Sequence, residues 1–181
     1  MPSSSITFSV DADDRLIAMN DEWTNFAVAN DGAALTPDRM VGQVLWTQIA
    51  DEPTRAIYRL ILERVREGHP VTFRYRCDSP RHRRTFLMAV KVAEARRVDF
   101  TSTLLTEETR PPVALLERNQ ARDDRHVPIC SWCQNVDVGN NTWVSVEEAV
   151  NTLLVESAFP VLTHGICPPC AEQLVSTIAA S

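Results

Sequence analysis

Two pairs of cysteines constrain this chain more than any other feature. Cys130-Ser131-Trp132-Cys133 and Cys167-Pro168-Pro169-Cys170 each leave two residues between their thiols, and 33 residues separate the pairs. A CxxC spacing lets two thiolates close a tight turn on one metal ion, and two such turns complete a tetrahedron. Cys130, Cys133, Cys167 and Cys170 are therefore the expected ligands of a structural zinc ion. An iron–sulfur cluster takes the same ligand set. A thioredoxin-like redox site would need only one pair, on a βαβ scaffold that the pattern does not contain. His164 could replace one thiolate. With four thiols at hand it is expected instead beside a ligand sulfur, or in a structural role.

The rest of the composition sets the context for those thiols. The chain has 181 residues, enough for one ordinary domain and a small one, and 44% are hydrophobic. No apolar run approaches the length of a membrane span, and Met1-Pro2-Ser3-Ser4-Ser5-Ile6 carries no secretory signature. A cytoplasmic protein with no membrane partner is expected, and in that reducing compartment paired cysteines are ligands rather than disulfides. Five cysteines fit four ligands and one bystander, Cys77.

The net charge of −6 is unevenly spread: residues 126–181 hold no Lys or Arg against five acids. Nucleic-acid binding depends on phosphate neutralisation by Lys and Arg, so nucleic acid is excluded as a partner of the cysteine module.

Within that module, residues 127–181, turn signals and periodicity outline a small fold. Gly139-Asn140-Asn141 separates Val136 and Val138 from Trp143 and Val144. Ser145-Val146-Glu147-Glu148 is a capping box that opens a helix carrying Val146, Ala149, Val150, Leu153 and Leu154 on one face. The second cysteine pair opens a last helix, with prolines in its first turn and Ala171, Leu174, Val175 and Ile178 on its apolar side. A module this small buries little core, and a metal commonly supplies the missing stability. One knuckle in a loop and one at a helix start is similar to a treble-clef zinc fold.

Residues 1–108 read as strands and helices in a different order. Ile6–Val10 and Arg15–Met19 flank an aspartate-rich turn as a hairpin. Asp21-Glu22 starts a helix with Trp23 and Phe26, which Asn30-Asp31-Gly32 ends. Pro53 starts a longer helix through Ile57, Leu60, Ile61 and Val65, which Gly68-His69-Pro70 stops. Three strands follow: one with Val71, Phe73, Tyr75 and Cys77 on a face, one with Phe86, Met88, Val90 and Val92, and one with Val98, Phe100, Ser102 and Leu104. Short connections make them antiparallel. Glu107 to Arg125, with Pro111-Pro112, breaks the pattern and is expected as a linker over residues 109–126, with a short helix around Leu115-Leu116.

That order resembles a PAS domain, on the hairpin ending in Asn20, the aromatic helix with Trp23 and Phe26, Val41-Gly42, the helix at 53–67 and the three closing strands. An Arg-Cys-Asp-Ser-Pro turn, Arg76 to Pro80, belongs to the same resemblance. It implies an α+β chain, with a five-stranded antiparallel sheet, helices on one face, and a role in ligand sensing or dimerisation. Haem-binding PAS domains commonly supply an axial histidine from the long helix, and residues 53–67 contain none. Flavin photoreceptors of the family carry Asn-Cys-Arg-Phe-Leu, which is absent, so neither haem nor flavin is expected. Trp23, Phe26, Trp46 and Tyr75 could line an organic-ligand pocket or simply fill the core. Arg81-His82-Arg83-Arg84 could bind an anion or an acidic partner, or form a solvated hairpin tip.

Residues 127–172 resemble a cysteine-rich tail that follows PAS and receiver domains in bacterial signalling proteins. The matching residues are Ile129-Cys130-Ser131-Trp132-Cys133, Trp143, and His164-Gly165-Ile166-Cys167-Pro168-Pro169-Cys170. Taken together, these features predict a non-enzymatic signalling protein. A sensing or dimerisation domain would be coupled to a zinc module that meets another signalling protein or a second copy. The alternative is a thiol or metal-redox sensor in which the cysteine site is the switch. A zinc hydrolase would need an open coordination position and a general base, and four thiolates leave no such position.

Overall fold

The computed structural model describes residues 5–30, 32, 34–155 and 158–181. The chain is mixed α+β, with two sheets. The first holds β1 (Ile6–Val10), β2 (Leu16–Met19), β3 (Val71–Arg76), β4 (His82–Val92) and β5 (Val98–Thr109). All its pairings are antiparallel, in the order β2-β1-β5-β4-β3. Between β2 and β3 run α1 (Asp21–Ala29), the short α2 (Pro37–Met40) and α3 (Glu52–Arg66).

Sequence chemistry sets the ends of these helices. Asn20 caps α1 by accepting from the Trp23 amide, and Asp51 caps α3 by accepting from the Thr54 amide. The expected Asn30-Asp31-Gly32 stop includes Asp31, which lies outside the described residues. Ile57, Ile61 and Val65 are buried along α3, as their spacing predicts. Leu60, grouped with them in the sequence, is exposed, and Leu62 takes the buried place instead. On β4, Phe86, Met88 and Val90 turn inward, as do Val98, Phe100 and Ser102 on β5. A register shift between Thr85 and Phe86 lets the β4–β5 ladder continue out to His82 and Thr109. Both strands therefore extend farther than the sequence pattern indicates.

The second sheet has the order β8-β7-β6-β9, with β6 (Arg122–Cys130), β7 (Val136–Asp137), β8 (Trp143–Val144) and β9 (Phe159–Gly165). β6 and β9 run parallel, connected through α4 (Val146–Leu153), while the other pairs are antiparallel. The last helix is α5 (Pro168–Ala179). In the stretch before β6, Ala114–Leu116 makes one 3-10 turn. Val113 and Leu115 there join Ile129, Val136, Val146, Ala149, Leu153 and Phe159 in a core of their own, under the second sheet rather than on the first.

A larger core crosses from one sheet to the other. Cys130, Trp132, Cys167, Leu174 and Ile178 are buried in one cluster with Ile57, Ile61, Val65, Phe73, Val90 and Phe100. The Trp132 ring lies 5.8 Å from Tyr58 and 6.2 Å from Phe73 between ring centres. The cysteine segment thus packs on the edge of the first sheet at β3 and against α3, and the two share buried apolar surface.

Candidate metal centre

The first cysteine pair sits where β6 ends and turns. The Cys130 amide donates to Asn135 O at 2.7 Å and the Gln134 amide to Cys130 O at 3.0 Å, with Gln134 in the left-handed region at φ 63°. These bonds fold residues 130–135 into a knuckle that brings Cys133 round beside Cys130. The second pair starts α5, with Cys167 at the N-cap and Pro168 behind it. Proline at the first helical position sacrifices only an amide that the helix would leave unpaired. Cys170 follows within the first turn of the same helix.

Strand register brings the two knuckles together. Cys130 lies opposite Gly165 in the parallel β6–β9 pair, and the Ser131 amide donates to Gly165 O at 2.8 Å. A Cβ at Gly165 would meet Pro128 Cβ at 3.3 Å, so any larger residue there would push Pro128 aside by a few tenths of an ångström. The Cys167 amide then donates to Cys130 Sγ at 3.4 Å, a bond that favours a thiolate on that sulfur.

The result is four sulfurs, from Cys130, Cys133, Cys167 and Cys170, all within 4.8 Å of one another. Cys133 and Cys167 Sγ are 3.7 Å apart, too far for a disulfide and close to the ~3.8 Å edge of a zinc–sulfur tetrahedron with bonds of about 2.3 Å. The set is compact enough to surround a single ion. Cys130 and Cys167 are buried and Cys133 and Cys170 half-buried. A cleft of about 400 Å3, lined by Phe73, Arg74, Trp132, Cys133, Cys170 and Leu174 among others, opens beside the two half-buried sulfurs. Without a metal the thiols share protons unequally. Hydrogen bonds from Cys133 and Cys170 hold the Cys130 pKa far below its usual value. Donation to Cys130 raises the pKa of both Cys133 and Cys170.

His164 is exposed on β9 and lies outside the four-sulfur group. Cys77 is separate as well, just beyond β3, where burial raises its pKa. The aromatic residues with possible ligand roles are half-buried, and two of them, Phe26 and Tyr75, meet at Phe86. Trp23 meets Phe8 edge-on, and Phe26 meets Phe86. Tyr75 stacks on Phe86 and its hydroxyl pairs with Ser102 at 2.8 Å. Trp46 donates to Asp14 at 3.0 Å and lies under Arg59. None of the four lines the cleft beside the sulfurs.

Sequence reasoning missed the residues that fasten the knuckle to the first sheet. At the end of β3, the Arg76 amide donates to Trp132 O at 2.7 Å, and its guanidinium donates to Cys133 O at 3.0 Å. The same guanidinium pairs with Asp78, whose side chain is 0% exposed. Asp78 also pairs with Arg110 at 3.1 Å, and Arg110 with Glu147 at 2.7 Å. Arg83, from the basic run, completes the chain by pairing with Glu147 at 2.8 Å. The signal was present as the Arg76-Cys77-Asp78-Ser79-Pro80 turn, but its partners Arg110 and Cys133 lie 31 and 57 residues away.

Glu147 gives a pH test of this chain. Burial works against its charge, yet hydrogen bonds from Arg83 and Arg110 hold its pKa at about 2, below the ordinary 4.5. A depressed carboxylate contributes stability that is fully present above the unfolded pKa and is lost as pH falls through the folded one. The contribution should therefore be intact above about pH 5 and disappear from there down to about pH 2. The Glu147 side chain is 36% exposed, so solvent screening limits the loss in Glu147→Gln to about 1 kcal/mol at neutral pH. Urea titrations of both proteins should converge as the pH is lowered across that window.

No family model matches the chain, and no curated protein matches it. Among solved structures, a domain of an HTR-like protein from Haloarcula marismortui ATCC 43049 aligns with 56% of this chain and 98% of its own. The identity is 16% and the TM-score 0.38. No helix among the described residues is long and apolar enough to cross a membrane.

Proposed function

We propose that this chain is a non-enzymatic regulatory protein built from two cooperating parts. Residues 1–108 form a PAS-like sensing or dimerisation domain, residues 109–126 connect it onward, and residues 127–181 form a treble-clef-like module around a structural zinc ion. The module acts by binding another cytoplasmic signalling protein or a second copy of the chain. The observation that carries this reading is the closed set of four sulfurs within 4.8 Å. A catalytic zinc keeps a position for water, whereas four thiolates occupy the whole tetrahedron and leave a structural ion.

The PAS-like half is supported by the five-stranded antiparallel sheet with its helices inserted between β2 and β3. Coupling is supported by the shared core and by Arg76, which bonds the knuckle and the β3 edge at once. Any change in the first sheet that moves β3 is felt at Cys133. Native mass spectrometry tests the assignment in one spectrum, through the metal, its stoichiometry and the number of chains. One zinc per chain is expected, together with a thermal transition that a chelator lowers. Metal-free protein with a chelator-insensitive transition would sink the reading. Zinc loss driven by peroxide with the fold intact would favour the redox switch instead.

A further inference from the structure

Two sequence features remain outside the metal centre, the basic run at the β3–β4 turn and His164 on β9. The fold brings them to one place. A cleft of about 1040 Å3 opens between that turn and the second sheet, with Arg81, His82 and Arg84 on one side and Arg118, Arg122 and His164 on the other. Among the described residues its only carboxylates are Asp78 and Glu117, against four arginines, within a chain of net charge −6. Asp78 is already neutralised by Arg76 and Arg110, and Glu117 accepts from Gln120 at 2.9 Å.

The cations differ in how far they are satisfied. Arg84 pairs with Glu107 and Asn30. Arg122 makes three hydrogen bonds, to the neutral carbonyls of Pro160, Leu115 and Glu117, and no ion pair among the described residues. Partial burial pushes its pKa down, the mark of a cation short of countercharge. Arg81 and His164 are exposed and make no side-chain hydrogen bond or ion pair among the described residues. A low-dielectric cleft rimmed by one sign of charge concentrates ligands of the opposite sign, and this volume suits a small molecule.

We propose that this cleft binds a small polyanion, a molecule bearing two or more carboxylate or phosphate groups, held by Arg81 and Arg122 with His164 on the far wall. The site extends the sensory reading above by giving it a ligand class, and it touches both sheets. Ile129 of β6 and Gln134 of the first knuckle also line it, so a ligand there contacts the turn that carries Cys130 and Cys133.

Isothermal titration of the zinc-loaded full chain at low ionic strength tests the proposal. Succinate serves as the dicarboxylate probe, fructose 1,6-bisphosphate as the phosphate probe, and fructose as the uncharged control. Saturable binding of at least one anion, weakened by salt, is expected, and whichever anion binds names the source. Arg81→Gln should weaken it by about tenfold, the size of one charged hydrogen bond. His164→Gln should weaken it less, and Lys91→Gln, which removes a cation outside the cleft, should leave it unchanged. No binding of either anion, or an equal effect of Lys91→Gln and Arg81→Gln, overturns the site. Zinc content measured on each variant separates that failure from a failure of the metal assignment.

Discussion

Stripping the proposed zinc ion, or substituting Cys133→Ser, is expected to lower the melting temperature by about 8–16 °C. Structural zinc binding is worth about 10–16 kcal/mol in small zinc modules. Even a loss of about 4 kcal/mol shifts a chain of this size by that amount, at roughly 2–4 °C per kcal/mol. The effect should extend beyond the tail because the sulfurs are not on an isolated appendage. Cys130 and Cys167 are buried in the same cluster as α3 and β3, and Trp132, between the two ligands of its pair, fills the space between Tyr58 and Phe73. If the knuckle opens, that tryptophan leaves the core of the first sheet. One cooperative transition should therefore move as a whole, by both far-ultraviolet and tryptophan signals. Cys77→Ser is the control. That thiol is half-buried but outside the cluster, and its substitution should leave metal content unchanged. Retention of the full melting temperature by Cys133→Ser would falsify the structural role of the site.

Much of this arrangement was legible in the sequence where the physics is local. The capping box at Ser145 and Glu148 is present, with both of its reciprocal bonds. Alternation located β3, β4 and β5, because a half-buried strand repeats every second residue. The grouping of Cys130, Cys133, Cys167 and Cys170 followed from spacing, since a CxxC turn needs nothing distant to form. What was not legible depends on remote partners. β6 begins with Arg122-Asp123-Asp124-Arg125, which has no apolar alternation, and it pairs in parallel with β9 at Arg122 and again from His126 onward. A parallel pair requires a crossover, so neither strand announces the other. The basic run looked like a solvated tip, but Arg83 and Arg84 are tied to Glu147 and Glu107, and only the fold reveals those carboxylates as neighbours.

Asp78→Asn is expected to destabilise the protein by about 3–5 kcal/mol, the usual cost of removing one partner from a buried ion pair. Its side chain is fully enclosed and receives Arg76, Arg110 at 3.1 Å and the Arg84 amide at 3.2 Å. Asparagine keeps the shape but leaves two guanidinium groups, 21% and 9% exposed, without their shared anion. The consequence for the metal follows from Arg76. Its guanidinium holds Cys133 O while Asp78 holds the guanidinium, so releasing Asp78 loosens the position of a ligand. Asp78→Asn should therefore also lose zinc faster to a competing chelator. The surface pair of Asp123 with Arg125 offers the contrast, and Asp123→Asn should change neither property measurably. A double-mutant cycle between Asp78→Asn and Cys133→Ser decides whether the two effects are one. If the clamp acts through the knuckle, removing the ligand first makes loss of the clamp cheaper, and the cycle shows coupling. Strict additivity would mean that Asp78 only closes the β3–β4 turn, and that the first sheet and the metal centre are neighbours without being linked.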